Sequence, residues 1–330
     1  MTWFGPAVDT ALDALIIPGF SRIGLAARTR LLPGFTVGDY PRLDGRTVVI
    51  TGATAGIGYA AAVTLARQGA ALHFLARDQG RAEQAQHRIT AASGSATVSY
   101  GLADLEDLNS VRAFARQFRV THDRLDVLIH NAGAIHPQFR TDDAGTELTI
   151  LGQVAGPFLL TRLLMPALLA AAPSRVITVS SGGMYTQRLD PATLQLPPSR
   201  YRGVTAYARA KRAQVALNGE WARRLAGTGV IFHAMHPGWV DTPGIAAALP
   251  AFHRLTRPIL LSPEQGADTI VWLATAPPEP LGNGQFWHDR RARPEHLLPG
   301  TREKDPATVR KLWDHLAAVT TPAGQLGEAS

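Results

Sequence analysis

Val48-Val-Ile-Thr-Gly-Ala-Thr-Ala-Gly-Ile-Gly58 decides the architecture. Three β-branched residues read as a short buried strand, and the glycines after them open a helix running through Arg67. Glycine at 52, 56 and 58 lets the backbone approach a pyrophosphate closely. The helix N-terminus offers N–H donors and a favourable dipole to the same group. The spacing is G-x3-G-x-G rather than G-x-G-x-x-G, so taken alone the stretch also fits an ordinary tight turn. Working outward, Leu72-His-Phe-Leu75, Thr97-Val-Ser-Tyr100, Leu125-Asp-Val-Leu-Ile129, Arg175-Val-Ile-Thr-Val179 and Val230-Ile-Phe-His-Ala234 continue the strands, separated by helical stretches. Unbroken βα alternation predicts an α/β fold with a single doubly wound parallel sheet and helices on both faces.

Composition narrows the function. The 330 residues are 45% hydrophobic and 18% charged, as in ordinary globular chains, and cysteine is absent, which removes disulfides, thiol catalysis and Cys–metal sites. The net charge is +7, but the basic residues are spread along the chain without dense tracts and interleaved aromatics, which argues against nucleic acid. His233 and His236, three apart on a strand, point to opposite faces, so no metal is expected there. No secretory signal is evident, and a cytoplasmic location is expected. Leu148 to Ala172 is apolar but divided by Arg162, and reads as a long buried helix.

Lysine occurs only at 211, 304 and 311, whereas every other strong base is Arg. The Lys211 position lies one helical turn after Tyr207, on the same face. An ammonium beside a phenol favours phenolate and is expected to lower the Tyr207 pKa from about 10, giving a proton donor usable near neutrality. The end of the second strand, Leu75-Ala76-Arg77, places a guanidinium where a 2′-phosphate would bind, which favours NADP(H) over NAD(H). Asp78, one residue later, fits an acid for a ribose hydroxyl or a cap for the next helix.

With Asp104-Leu105, Asn131-Ala-Gly133, Ser181, Tyr207-x3-Lys211 and Pro237-Gly-Trp-Val-Asp-Thr242 added in order, the chain resembles the short-chain dehydrogenase/reductase family. Val179-Ser-Ser-Gly-Gly-Met184, Met235-His-Pro-Gly-Trp239, Asp241-Thr-Pro-Gly244, Glu264-Gln-Gly-Ala-Asp268 and Gly284-Gln-Phe286 are similar to its member 12 type. The resemblance implies a Rossmann-type domain over 45–300, with substrate loops at 182–206 and 243–262. A helical arm over 1–44 precedes it, and a C-terminal helix and tail over 301–330 follow. It implies catalytic roles for Ser181, Tyr207 and Lys211, with Ser181 rather than Ser180 donating to the substrate oxygen. Cofactor contacts are implied at Gly52, Thr54, Gly56, Ile57, Gly58, Arg77, Asp104, Leu105, Asn131, Ala132, Gly133, Tyr207, Lys211, Pro237, Gly238, Val240 and Thr242. Asp104 is expected to meet the adenine, Asn131 to line the adenosine side, and Val240 with Thr242 to hold the carboxamide.

One position departs from the family pattern. Gln153 stands three residues before Gly156, where many members carry an Asn that supports a water-linked proton path. The extra methylene is expected to make it an imperfect substitute and turnover slow. The expected reaction is hydride transfer between NADP(H) and a lipophilic aldehyde, ketone or alcohol. A catalytically weak nucleotide sensor or scaffold is the alternative, and a sugar-nucleotide epimerase shares Tyr-x3-Lys but would need a larger substrate domain. The apolar loops fit either a lid over such a substrate or cover for the core. The arm carries Val8, Leu12, Leu15 and Ile16 at helical spacing, then Arg22, Arg28 and Arg30. It fits a peripheral membrane contact, or packing on its own domain or on a second subunit of a homo-dimer or tetramer. Asp305-Pro306 is expected to start a C-terminal helix packed through Trp313 and Leu316, with a frayed tail from Gly324.

Overall fold

The strands β1 (Thr47–Thr51), β2 (Ala71–Ala76), β3 (Val98–Leu102), β4 (Val127–His130), β5 (Ser174–Val179), β6 (Val230–Met235), β7 (Phe286–His288) and β8 (Arg291–Ala292) form one sheet in the order β3-β2-β1-β4-β5-β6-β7-β8. All neighbours run parallel except β7 and β8. This is a computed structural model, and it describes Asp9, Leu12 and residues 15–31, 35–279, 281–303, 305 and 307–321. The expectations at Val8, Pro306 and from Gly324 onward lie outside those residues.

The β-branched run at β1 is wholly buried because both faces of the sheet are covered. Val48 and Ile50 face α2 (Gly56–Arg67), α3 (Gln79–Ser93) and α9 (Pro263–Thr275) in one cluster. Val49 faces the opposite layer, where α4 (Leu108–Thr121), α5 (Leu148–Ala170) and α6 (Gly203–Arg224) pack. The α5 helix is long and apolar enough to cross a bilayer, yet 83% of its most apolar window lies inside the fold. The C-terminal helix α10 (Thr308–Val319) buries Leu312 and Leu316. Its Trp313 meets Phe158 and Trp221 edge-on, and Asp305 accepts from the Ala307 N–H at 2.7 Å.

Chain order reverses between β1 and β4, and a crevice opens there beyond the carboxyl ends of the strands. Two further pieces lie around it, the first lining it and the second packing behind that lining. The short helices α7 (Pro243–Ala248) and α8 (Pro250–Thr256) follow β6. From the N-terminal side come a helical turn at Ile16–Gly19 and α1 (Arg22–Leu31). Phe20 packs edge-on against His236 and His288, and its carbonyl accepts from the Trp239 N–H at 2.7 Å. Arg28 turns inward rather than joining a basic face. It bonds Asp9 at 2.8 Å, Asp289 at 2.6 Å and the Gly19 carbonyl at 2.7 Å. A guanidinium only 1% exposed is tolerable because those partners satisfy it.

Candidate active site

At the Gly-rich turn, the N–H groups that open α2 have no side-chain cap, since Ala55 stands at the N-cap. Those unsatisfied donors point where an anion would sit. A Cβ on Gly58 would collide with the Gly52 carbonyl and the Asn131 amide, so only glycine permits this approach of helix to strand. Asn131 does more than line the cleft. Its amide donates to the Thr51 and Gly52 carbonyls at 3.0 and 3.1 Å, while the Thr51 hydroxyl accepts from the Asn131 and Ala132 N–H groups at 3.0 Å each. The turn is thereby tied across the switch point. Arg77, at the end of β2, keeps its side chain 59% exposed, with Glu106 3.6 Å away. Asp78 caps α3 by accepting from the Arg81 N–H at 2.8 Å, the second of the two roles its position allowed. An uncapped helix start and a glycine cradle fit the pyrophosphate of a dinucleotide.

At the other end of the cleft, Ser181 follows β5 at the start of a short helical turn, and Tyr207 and Lys211 project from α6. The Ser180 hydroxyl donates to the Lys211 carbonyl at 3.0 Å and is spent on packing. The Ser181 hydroxyl lies toward Tyr207 and lowers that phenol's pKa, but burial acts more strongly and pushes it up to about 12. Lys211 is 2% exposed and donates to the Val179 carbonyl at 2.9 Å, with its nitrogen 5.4 Å from the Tyr207 ring centre. Burial draws its ammonium down to about 7. The lowered phenol pKa expected from the Tyr-x3-Lys spacing is therefore not what the structure has. Spacing brings the two groups together, whereas the depth of the cleft penalises the charged form of each.

A π-helical turn over Leu151–Ala155 interrupts α5 and presents Gln153. Its Nε2 donates to the Ala134 carbonyl at 2.7 Å, and the Gln153 backbone carbonyl accepts from Gln214 Nε2 at 2.6 Å. Gln153 Oε1 is buried without a hydrogen-bond partner, and it flanks Gly133 together with the Lys211 nitrogen: a Cβ on Gly133 would lie 3.3 and 3.2 Å from them.

All the site residues expected from the sequence line one cavity of about 910 Å³. Sequence reasoning missed Glu106 and His136, which pair at 3.1 Å on its rim, and Trp239, which meets Phe252 edge-on at 5.1 Å. Of the two expected substrate loops, 243–262 contributes Ile245, Phe252 and Leu260 to the lining, but no residue of 182–206 reaches it. Met184, Tyr185, Leu189, Leu194 and Leu196 of that segment are buried instead. Among the described residues no cluster suited to a metal occurs, and His233 is occupied by the Trp287 indole at 3.1 Å.

A short chain dehydrogenase family model matches residues 46–250. Human dehydrogenase/reductase SDR family member 12 is 38% identical over 278 residues, spanning 83% of this chain and 86% of that protein. Human retinol dehydrogenase 14 is 35% identical over 337 residues, spanning 93% and 97%. A solved structure from Beutenbergia cavernae, described as a NAD(P)-dependent gluconate 5-dehydrogenase with NADP bound at low occupancy, superposes with a TM-score of 0.62 at 30% identity. It covers 75% of this chain and 96% of its own.

Proposed function

Because the chain belongs to the short-chain dehydrogenase/reductase family of oxidoreductases, we propose that it uses NADP(H) to interconvert a lipophilic aldehyde or ketone with its alcohol. The observation that carries this reading is the convergence of Ser181, Tyr207 and Lys211 on one cavity with the Gly-rich turn. A bound nicotinamide would supply or accept the hydride at the carbonyl carbon. Ser181 and Tyr207 offer two hydroxyl donors to the carbonyl oxygen, where negative charge develops during reduction. Tyr207 then gives its proton to that oxygen, completing the alcohol, and takes it back in the reverse direction. Lys211 holds positive charge beside the phenol as it becomes phenolate. Trp239, Ile245, Phe252 and Leu260 exclude water and suit an apolar substrate body. Arg77 supports NADP(H) over NAD(H), and the Beutenbergia structure with NADP supports the same choice.

The test is NADPH oxidation by the purified protein across aldehydes and ketones of increasing apolar size, with NADH and Tyr207→Phe as controls. Turnover that Tyr207→Phe abolishes is expected. Tight NADPH binding with no turnover on any carbonyl would replace the enzyme by a nucleotide sensor.

A further inference from the structure

Exposed apolar surface is concentrated on the N-terminal arm and on α8. Among the described residues, Leu15, Ile16, Ile17, Ile23 and Leu31 of the arm are 58%, 48%, 61%, 51% and 44% exposed, and Leu255 of α8 is 84% exposed. Other large exposed apolar side chains occur mostly singly, as at Val120 and Val204. The two segments share a second property. In a chain with 26 acids, residues 15–31 and 243–261 hold none, whereas Arg22, Arg30, Arg254 and Arg257 are exposed there. They are also joined: Arg22 donates to the Pro258 carbonyl at 3.4 Å, and Leu25 packs with Val240 and Leu261. Each segment thus buries one side and leaves apolar and cationic residues on the other, the pattern of elements that lie in a membrane interface.

We propose that this surface docks the protein on an anionic lipid bilayer, with arm and α8 in the headgroup region, and that lipophilic substrate enters the cleft from there. The exposed arginines complement anionic headgroups, and the same 243–261 segment lines the cavity through Ile245, Phe252 and Leu260. The substrate route rests on the catalytic reading above; the docking itself does not.

Co-sedimentation with vesicles of phosphatidylcholine, with and without phosphatidylglycerol, reads docking without any turnover. The full chain is expected to bind the phosphatidylglycerol vesicles and to be released by salt. Leu255→Glu and the double variant Ile17→Glu with Ile23→Glu should each weaken binding about tenfold or more. Val120→Glu, an exposed change on α4, should leave binding unaltered. Absence of binding, or binding indifferent to these variants, overturns the proposal. So does a concentration-dependent dimer that the same variants dissolve while vesicles go unbound, since a second copy would then cover the face. For the route, Leu255→Glu should keep its rate on a short water-soluble aldehyde and lose rate on a long-chain aldehyde carried in vesicles. Equal rates on both would refute it.

Discussion

Lys211→Met is expected to stabilise the protein at neutral pH while ending its catalysis. Burial draws the Lys211 ammonium from its ordinary 10.5 down to about 7. The unfolded chain therefore keeps this proton up to about pH 10.5, and the folded chain only up to about 7. Between those values unfolding takes up a proton, so stability rises with pH by about 1.4 kcal/mol per unit. At pH 7 the penalty on the wild type is about 4 kcal/mol. Methionine removes that penalty, and it also removes the hydrogen bond to the Val179 carbonyl, at a cost of about 1–2 kcal/mol. The variant should thus be more stable by about 2–3 kcal/mol near pH 7, with the advantage gone by about pH 9.5. Urea unfolding of both proteins without nucleotide, from about pH 7 to about 9.5, measures this difference below the range where an unfolded tyrosine ionises. Two parallel curves would refute the reasoning, because Lys211 would then titrate in its ordinary range and its burial would cost nothing.

Arg77→Glu should lower the NADPH-over-NADH ratio of kcat/KM by about 10–100-fold, since it removes a charge-assisted contact to the 2′-phosphate; an unchanged ratio would move phosphate recognition elsewhere. Gln153→Asn withdraws the amide from the Ala134 carbonyl and should lower kcat about tenfold or more with the fold retained by circular dichroism. A faster variant would restore the view of Gln153 as an ill-fitting replacement. On the acid side, burial lowers His73, His130 and His233 to about 4, 3 and 4, and it lowers His236 and His288 as well. These rings stay neutral in the folded chain but charge in the unfolded one, so stability falls as pH drops below 6.5, by about 1.4 kcal/mol per unit for each. Far-UV circular dichroism should show steep unfolding below that pH, and His130→Gln should move the midpoint lower; a shallow transition indifferent to that change would contradict the burial of these groups.

The dinucleotide turn and the Ser181, Tyr207, Lys211 set were legible because their chemistry is local in sequence. Strand, glycine and helix are adjacent between Thr47 and Arg67, and Tyr207 and Lys211 stand four positions apart on one helix. What the chain concealed depends on partners far along it. Arg28 reads as one cation of an amphipathic face until Asp289, 261 residues away, is brought against it. Gln153 reads only as one methylene longer than Asn until the fold brings the Ala134 carbonyl against its side-chain amide. The apolar run at 182–206 has the same composition whether it lids a substrate or fills a core, and only the fold sends Met184 and Leu194 inward. The same limit governs protonation. Spacing reveals that an ammonium neighbours a phenol, but the sign of the net shift is set by how much water each has lost, a property of the assembled cleft. Lys211 and Tyr207 therefore share a site whose charged states are both costly. In such a site a charge arriving beside either group changes the other's protonation more than it would on the surface, which is the condition a proton-transferring pair requires.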